Sequence, residues 1–267
     1  MKNYGLKIDP IGEEDYIFGG FGTMGDVINF SGKWRNWLPK QEIQKIDGSD
    51  TWACTTFGTL NCIEILLKFI GIDKNFSDRF LAIGSGTEMN VGNSPHTVAE
   101  YLRHSGVCDE EKLPMPKTID EFYTPSPLPI DLIMDAKKFI ESYDFTHSYV
   151  FNKNKTLKEK QDLLKDALLR SPIGISVTAW IFGDQYYIKP EGVEDNHWVA
   201  LVDYEDGVKW VIFDSVDQDI KELAWDYDFS VAKVYYIKPK LANNKISIFE
   251  KLLNFLYNII NEKVYTR

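Results

Sequence analysis

The sequence has few cysteines, no long apolar run and no recognisable secretory signal. Three cysteines occur among 267 residues, a number too small and too odd for a disulfide framework, so the thiols are expected to be reduced. No stretch reaches the ~20 apolar residues that a membrane-spanning helix needs. These absences favour a cytoplasmic or virion-associated protein.

Basic residues are also in deficit. The chain has 40 Asp and Glu against 30 Lys and Arg, which gives a formal net charge of −10. Because phosphate binding needs a basic surface, the composition argues against nucleic acid as a ligand. A peptide or protein partner fits better. The histidines and cysteines show no metal-ligand spacing, so neither a metal nor a cofactor is expected.

The chain is predicted to divide into four parts. Residues 1–50 are read as an irregular wall segment, 51–130 as a helical lobe, 131–240 as a β lobe and 241–267 as a C-terminal amphipathic helix. Five prolines between residues 112 and 129 mark the connection between the lobes. The two lobes together predict one catalytic domain of the α+β class.

Capping signals place the helices. One is predicted to begin near Cys54 and to end before Gly71, a second occupies residues 75–83, and a third has Ser94 as its N-cap. A further amphipathic helix is predicted for residues 156–169. Strands are expected at 173–180, 198–204, 208–213 and 231–237.

The predicted C-terminal helix, residues 245–260, has a wide apolar face. Its sixteen residues would extend about 24 Å, too short to span a bilayer comfortably. We expect this helix to pack on the domain or on a partner subunit. We rank contact of this helix with a membrane surface second.

Cys54 is the first candidate for chemistry. A helix start presents unpaired N–H groups and the positive end of the helix dipole, and both favour a thiolate. Cys62 and Cys108 are expected to be core residues, and His96, His104 and His147 surface or packing residues.

A hairpin brings a histidine and a carboxylate together. Asp206-Gly207 is the signal for a two-residue turn, which places Val199 opposite Asp214. His197 lies on the same face as Val199 and is then a diagonal neighbour of Asp214. An acid at this position can orient an imidazole that deprotonates a thiol.

These residues resemble a known family. Six segments occur in the order seen in papain-like cysteine peptidases: 54–58, 76–81, 106–108, 171–177, 195–197 and 213–215. The resemblance covers most of residues 44–237 and suggests a divergent member of prokaryotic or bacteriophage origin. It implies a two-lobed fold with the nucleophile at the head of a central helix and the base on the β lobe.

The resemblance implies roles for individual residues. Cys54 would be the nucleophile, His197 the base and Asp214 the orienting group, where the family usually has Asn followed by Ser-Trp. Gln44 would donate to the oxyanion, but only if residues 45–51 form an extra loop.

Four residues are expected to contact substrate. They are Gly92, Asn93, Thr178 and Asn196. With only 53 residues before the nucleophile, an inhibitory propeptide of the usual kind is not expected.

Peptide hydrolysis through an acyl-enzyme is the leading hypothesis. Transglutaminase-like acyl transfer or deamidation uses the same three groups and is an alternative. The other alternative is a catalytically silent papain-like module of a larger assembly.

Overall fold

The computed structural model of the protein describes residues 3–12, 15–18, 25–152, 154–217 and 219–240. Within them the chain forms helices and antiparallel sheets, which confirms the predicted α+β class. The helices are α1 (Cys54–Phe69), α2 (Asp78–Ser85), α3 (Pro95–Ser105), α4 (Ile119–Phe122), α5 (Ile130–Ser142) and α6 (Leu157–Leu168). Short 3-10 turns lie at Arg35–Trp37 and Glu110–Lys112.

The strands form a small hairpin and one larger sheet. The hairpin pairs β1 (Lys45–Ile46) with β2 (Ser49–Asp50). The sheet contains β3 (Tyr143–Tyr149), β4 (Ile173–Val177), β5 (His197–Glu205), β6 (Lys209–Phe213), β7 (Ile220–Ala224) and β8 (Ala232–Pro239). Its order is β3-β8-β4-β5-β6-β7, and neighbouring strands are antiparallel.

Side-chain caps fix the starts of α2 and α3. Helix α3 begins where the sequence predicts it, whereas α2 begins at Asp78, three residues after the predicted start. The Ser77 hydroxyl accepts from the Phe80 amide at 3.0 Å at the start of α2. Ser94 accepts from the Thr97 amide at 3.0 Å, with Pro95 as the first residue of α3. These bonds satisfy amides that have no partner within the helix.

Three elements of the second half differ from the sequence prediction. No strand was expected at β3 (Tyr143–Tyr149). The structure has two helices between the proline-rich connection and β4, whereas one was expected. The additional helix, α5, begins directly after Pro129 and buries Ala136 and Phe139. Strand β7 was also missed, because its alternation of buried and exposed residues includes the charged Lys221 at a buried position.

The turn between β5 and β6 was predicted wrongly. Glu205 pairs with Lys209, so the loop has three residues instead of two. A β-bulge between Leu201 and Asp203 compensates for the extra residue, and Ala200 lies opposite Phe213. Beside the site the register is therefore the predicted one.

Helix α1 packs directly on the sheet through Trp198. Residues Cys54 to Leu67 of α1 are all buried. A Cβ atom added at Gly58 of α1 would lie 2.7 Å from Trp198 Cδ1, and one added at Gly174 of β4 would lie 2.6 Å from Trp198 Cζ2. The two glycines leave the space that the indole fills, and the indole follows His197 in the chain.

No helix within the described ranges is long and apolar enough to cross a membrane. The C-terminal helix predicted for residues 245–260, with its partner contact, lies outside the described residues. The predicted boundaries at residues 50, 130 and 240 stay predictions.

We predict that Gly58→Ala destabilises the fold by about 1–3 kcal/mol, because the added methyl overpacks against Trp198. In an ordinary helix interior the same change stabilises by ~1 kcal/mol. Urea unfolding measures the difference. Lys137→Ala on the exposed face of α5 is the control and should change the free energy of unfolding by less than about 0.5 kcal/mol. A stabilised Gly58→Ala protein would contradict the close contact.

Candidate active site

Cys54 is the first residue of α1, and its side chain is fully buried. Burial raises the pKa of the thiol well above its ordinary value, while hydrogen bonds from the backbone of Trp198 and Thr55 act in the opposite direction. The sulfur therefore lies against the residue that follows His197. A thiol at the helix start and the first residues of β5 meet at one point.

His197 is the first residue of β5 and is also fully buried. Its Nε2 donates to Asp214 Oδ1 at 2.6 Å. Its Nδ1 has no hydrogen-bond partner among the described residues. The Trp180 ring lies edge-on to the imidazole, with 5.7 Å between centroids. Nδ1 is thus the nitrogen available to take a proton.

Asp214 is held by a buried lysine as well as by the histidine. Lys221 Nζ lies 2.7 Å from Asp214 Oδ2, and it also bonds Asp217. Burial by itself would raise the pKa of Asp214, but the charges and hydrogen bonds of His197 and Lys221 outweigh burial and lower it. Asp214 is therefore an anion, and its Oδ1 fixes the orientation of the His197 ring.

Sequence reasoning missed Lys221. Its only signal is the spacing in β7, where Lys221 shares a strand face with the fully buried Leu223. A lysine at such a position needs a buried acid as partner.

Gln44 reaches the site because the β1–β2 hairpin provides the extra loop. Its Oε1 accepts from Ser215 Oγ at 2.9 Å. Its Nε2 donates to Asp50 Oδ1 at 2.9 Å and to the Tyr4 carbonyl oxygen at 3.2 Å. Ser215 thus turns the amide so that its N–H groups face a peptide carbonyl.

That carbonyl belongs to residues 3–12, which we call the N-terminal segment. The Tyr4 amide donates to the Asn196 carbonyl at 3.1 Å, and the Tyr4 ring lies 5.3 Å from the His197 ring. Leu6 packs in one cluster with Cys54 and Trp198. The segment covers the thiol and the imidazole, a feature that the sequence analysis did not predict.

Three of the four residues expected to contact substrate touch this segment. The Asn93 amide donates to the Gly5 carbonyl at 2.9 Å, and the Asn93 carbonyl accepts from the Lys7 amide at 2.9 Å. Gly92 approaches so closely that a Cβ there would lie 1.9 Å from the Gly5 oxygen. Asn196 accepts from Tyr4, as described above.

Thr178 is fully buried. Its hydroxyl bonds Asp195 Oδ1 at 3.2 Å and the Glu194 carbonyl at 3.3 Å. Asp195 also accepts from Ser176 Oγ at 2.6 Å and lies 2.8 Å from Lys189 Nζ. These contacts fix the loop that leads into His197.

The described part of the chain contains no group of three or more His, Cys, Asp or Glu that could hold a metal ion. The site described above consists of a thiol, an imidazole, a carboxylate and a carboxamide.

Solved structures with the same arrangement of elements are cysteine proteases. Xylellain of Xylella fastidiosa has a TM-score of 0.58 at 16% identity and covers 91% of this chain and 97% of its own. The cysteine protease and lectin-like domains of Cwp84 of Clostridium difficile have a TM-score of 0.63 at 15% identity. This match covers 90% of this chain and 57% of the Cwp84 chain. Bromelain of Ananas comosus, in complex with the E64 inhibitor, has a TM-score of 0.51 at 18% identity. This match covers 79% of this chain and 98% of the bromelain chain.

The fold is papain-like. At these identities the likeness establishes the fold alone. No protein-family model and no curated protein matches the sequence. The papain-like fold confirms the two-lobed architecture that the resemblance implied.

In this papain-like chain, Gly5→Ala is predicted to release the N-terminal segment. Gly5 has φ +107°, and an added Cβ would lie 1.9 Å from the Trp52 carbonyl oxygen. Exposing Cys54 removes the burial that raises its pKa, so more thiolate forms at pH 7. We expect iodoacetamide to alkylate Cys54 about tenfold faster or more, since strain of this kind costs about 1–3 kcal/mol.

Peptide mapping by mass spectrometry separates Cys54 from Cys62 and Cys108. Gly12→Ala is the matched control, because its Cβ would meet only Asp15 Oδ2 at 3.5 Å. Equal alkylation rates in the two variants would show that the segment does not protect the thiol.

Lys221→Met is predicted to destabilise the protein by about 3–5 kcal/mol at pH 7, because it leaves Asp214 without its buried cation. The pKa of Asp214 is lower in the folded protein than in the unfolded chain. Its ionisation therefore stabilises the fold at pH values above the ordinary pKa range of a carboxyl group. That stabilisation is lost as pH falls through the folded value. Without Lys221 this pKa rises, so the loss begins at a higher pH.

Urea unfolding at several values between about pH 4 and 7 tests this prediction. Lys209→Met is the control, because Lys209 pairs with the more exposed Glu222 at 2.8 Å. The control should cost no more than about 1 kcal/mol. A cost for Lys221→Met as small as that of the control would contradict the role of the buried pair.

Proposed function

We propose that the protein is a cysteine peptidase that uses Cys54, His197 and Asp214 to hydrolyse peptide bonds. One arrangement carries the proposal: a peptide carbonyl, that of Tyr4, accepts a hydrogen bond from Gln44 Nε2 at 3.2 Å, and Leu6 of the same segment packs in one cluster with Cys54. The same peptide is bound through its backbone by Asn93 and Asn196. Backbone contacts of this kind suit an extended peptide of variable sequence.

The first half of the reaction forms an acyl-enzyme. His197 Nδ1 takes the proton of Cys54, and the sulfur attacks the carbonyl carbon as the carbonyl π electrons move to oxygen. Gln44 Nε2 and the backbone N–H of Cys54, the first in its helix, hold the oxyanion. The carbon–nitrogen bond then breaks, and His197 gives its proton to the leaving amine.

The second half releases the acid. His197 takes a proton from water, whose oxygen attacks the thioester carbon, and the carbon–sulfur bond breaks to restore the thiol. Asp214 stays ionised and stabilises the imidazolium in both halves. Lys221 in turn keeps Asp214 anionic and fixes its orientation.

Substitution at Cys54 tests the proposal. In the Gly5→Ala background, Cys54→Ala should lower kcat/KM for a fluorogenic peptide by on the order of 10⁴-fold or more. Gln44→Ala should lower it by about 10²–10³-fold, the usual effect of losing an oxyanion donor. Cys62→Ala is the matched control, since Cys62 is a fully buried thiol two turns along the same helix.

Hydrolysis that survives Cys54→Ala would end the proposal. Covalent labelling of Cys54 by E64, the inhibitor bound to bromelain, gives an independent measurement by intact mass. Product analysis with an added amine separates peptide hydrolysis from acyl transfer. A folded protein that neither reacts with E64 nor cleaves any peptide would instead be a silent papain-like module.

A further inference from the structure

A cavity of about 420 Å³ lies beside the site, between the start of α3 and the β3–β8 strand pair. Gly12, the last residue of the N-terminal segment, and residues 15–16 line it. The charged and aromatic residues that line it are Asp15, Tyr16, His96, Glu100, Arg103, His147, Tyr149 and Lys233. None of these residues takes part in the proposed reaction.

Strand register places three of these side chains on one face. Tyr149 of β3 lies opposite Lys233 of β8, and His147 is two residues before Tyr149. Residues two apart on a strand share a face, and opposite residues are neighbours across the pair. The cavity therefore has a floor of one cation and two rings.

Lys233 is a buried cation without a polar partner. Its side chain is fully buried, and its Nζ has no hydrogen-bond partner among the described residues. The ammonium lies 3.6 Å from the centroid of the Tyr149 ring. Burial lowers the pKa of Lys233 to about 7. A lysine in this position is costly unless an anion joins it.

The two carboxylates that line the cavity already pair with other groups of its lining. Glu100 accepts from His147 Nε2 at 2.8 Å and from Arg103 Nη2 at 2.6 Å. Asp15 accepts from the Gly12 amide at 2.6 Å, and its other oxygen lies 3.2 Å from His96 Nδ1. Asp15 shows that a carboxylate can enter from the side of the cleft and meet His96.

The cavity adjoins the thiol through Tyr149. The Tyr149 ring lines the cavity and also belongs to the cluster of Cys54, Trp198 and Leu6. Ile11 packs against the same cluster, and the next residue, Gly12, lines the cavity. A peptide that lay where the N-terminal segment lies would thus pass from the thiol to the mouth of the cavity.

We propose that this cavity binds an acidic side chain of the peptide substrate, with Lys233 and His96 as its partners. The proposal rests on the proposed peptidase function and adds a substrate class to it. Lys233 supplies the charge, His96 a ring N–H, and Tyr149 separates the cavity from the thiol. An amide side chain of the same shape would leave the lysine without an anion.

The test compares peptides that differ only in charge. A neutral fluorogenic peptide carries one Glu, or one Gln, at each of four positions on either side of the scissile bond. In the Gly5→Ala background, kcat/KM for Glu over Gln should reach about tenfold or more at one position, as expected for a hydrogen bond to a charged group. Lys233→Met should bring that ratio close to 1.

Matched variants guard against a purely structural effect. Lys238→Met removes an exposed lysine of the same strand and should leave the ratio unchanged. Lys233→Arg keeps the charge and should retain much of the preference. If Lys233→Met does not fold, His96→Gln at a half-buried position should lower the ratio several-fold. No preference for Glu at any position, or a preference unchanged by these variants, overturns the proposal.

Failure of the peptidase function is distinguishable from failure of the cavity. If no peptide is hydrolysed, the same Glu and Gln peptides are titrated by fluorescence anisotropy against the Gly5→Ala protein with Cys54→Ala. Tighter binding of a Glu peptide that is lost with Lys233→Met would support the cavity without catalysis. Equal binding of Glu and Gln peptides would overturn it.

Discussion

Asp214 is a fully buried carboxylate that receives His197 on one oxygen and Lys221 on the other. A buried charge of this kind is tolerable only when its partners are in place, and removing one partner costs several kcal/mol. His197 is the first residue of β5, Asp214 follows the last residue of β6, and Lys221 is the second residue of β7. Because the ion pair fixes these strands relative to one another, it also fixes the His197 imidazole.

The packing of α1 against β5 brings the Cys54 thiol towards the group of His197, Asp214 and Lys221. Trp198 follows His197 and occupies the space beside Gly58 and Gly174, so α1 can approach β5 closely. Hydrogen bonds from the Trp198 backbone to Cys54 lie in the same contact. The positions of Cys54 and His197 are therefore set by one aromatic side chain and by two glycines that leave room for it.

The N-terminal segment lies over both the Cys54 thiol and the His197 imidazole. Its backbone bonds both walls, through Asn93 and Asn196, and its Tyr4 carbonyl occupies the Gln44 donor. The same course leads past Ile11 to the cavity that contains Lys233. The segment lies in the cleft as a bound peptide would, which makes its contacts a guide to what a substrate can use.

The sequence by itself determined the local features: the helix start at Ser94, the α+β class, and the positions of a thiol at a helix start and a histidine on a strand. These depend on caps and periodicity, which act over a few residues. Even the His197–Asp214 pairing followed from a turn, although the bulge that restored its register could not be read. Only the tertiary structure decided the rest, namely the partner of Asp214, the burial of Thr178, the cover over Cys54 and the cavity at Lys233. Each depends on contacts between residues far apart in sequence, and such contacts leave no periodic signal in a single chain.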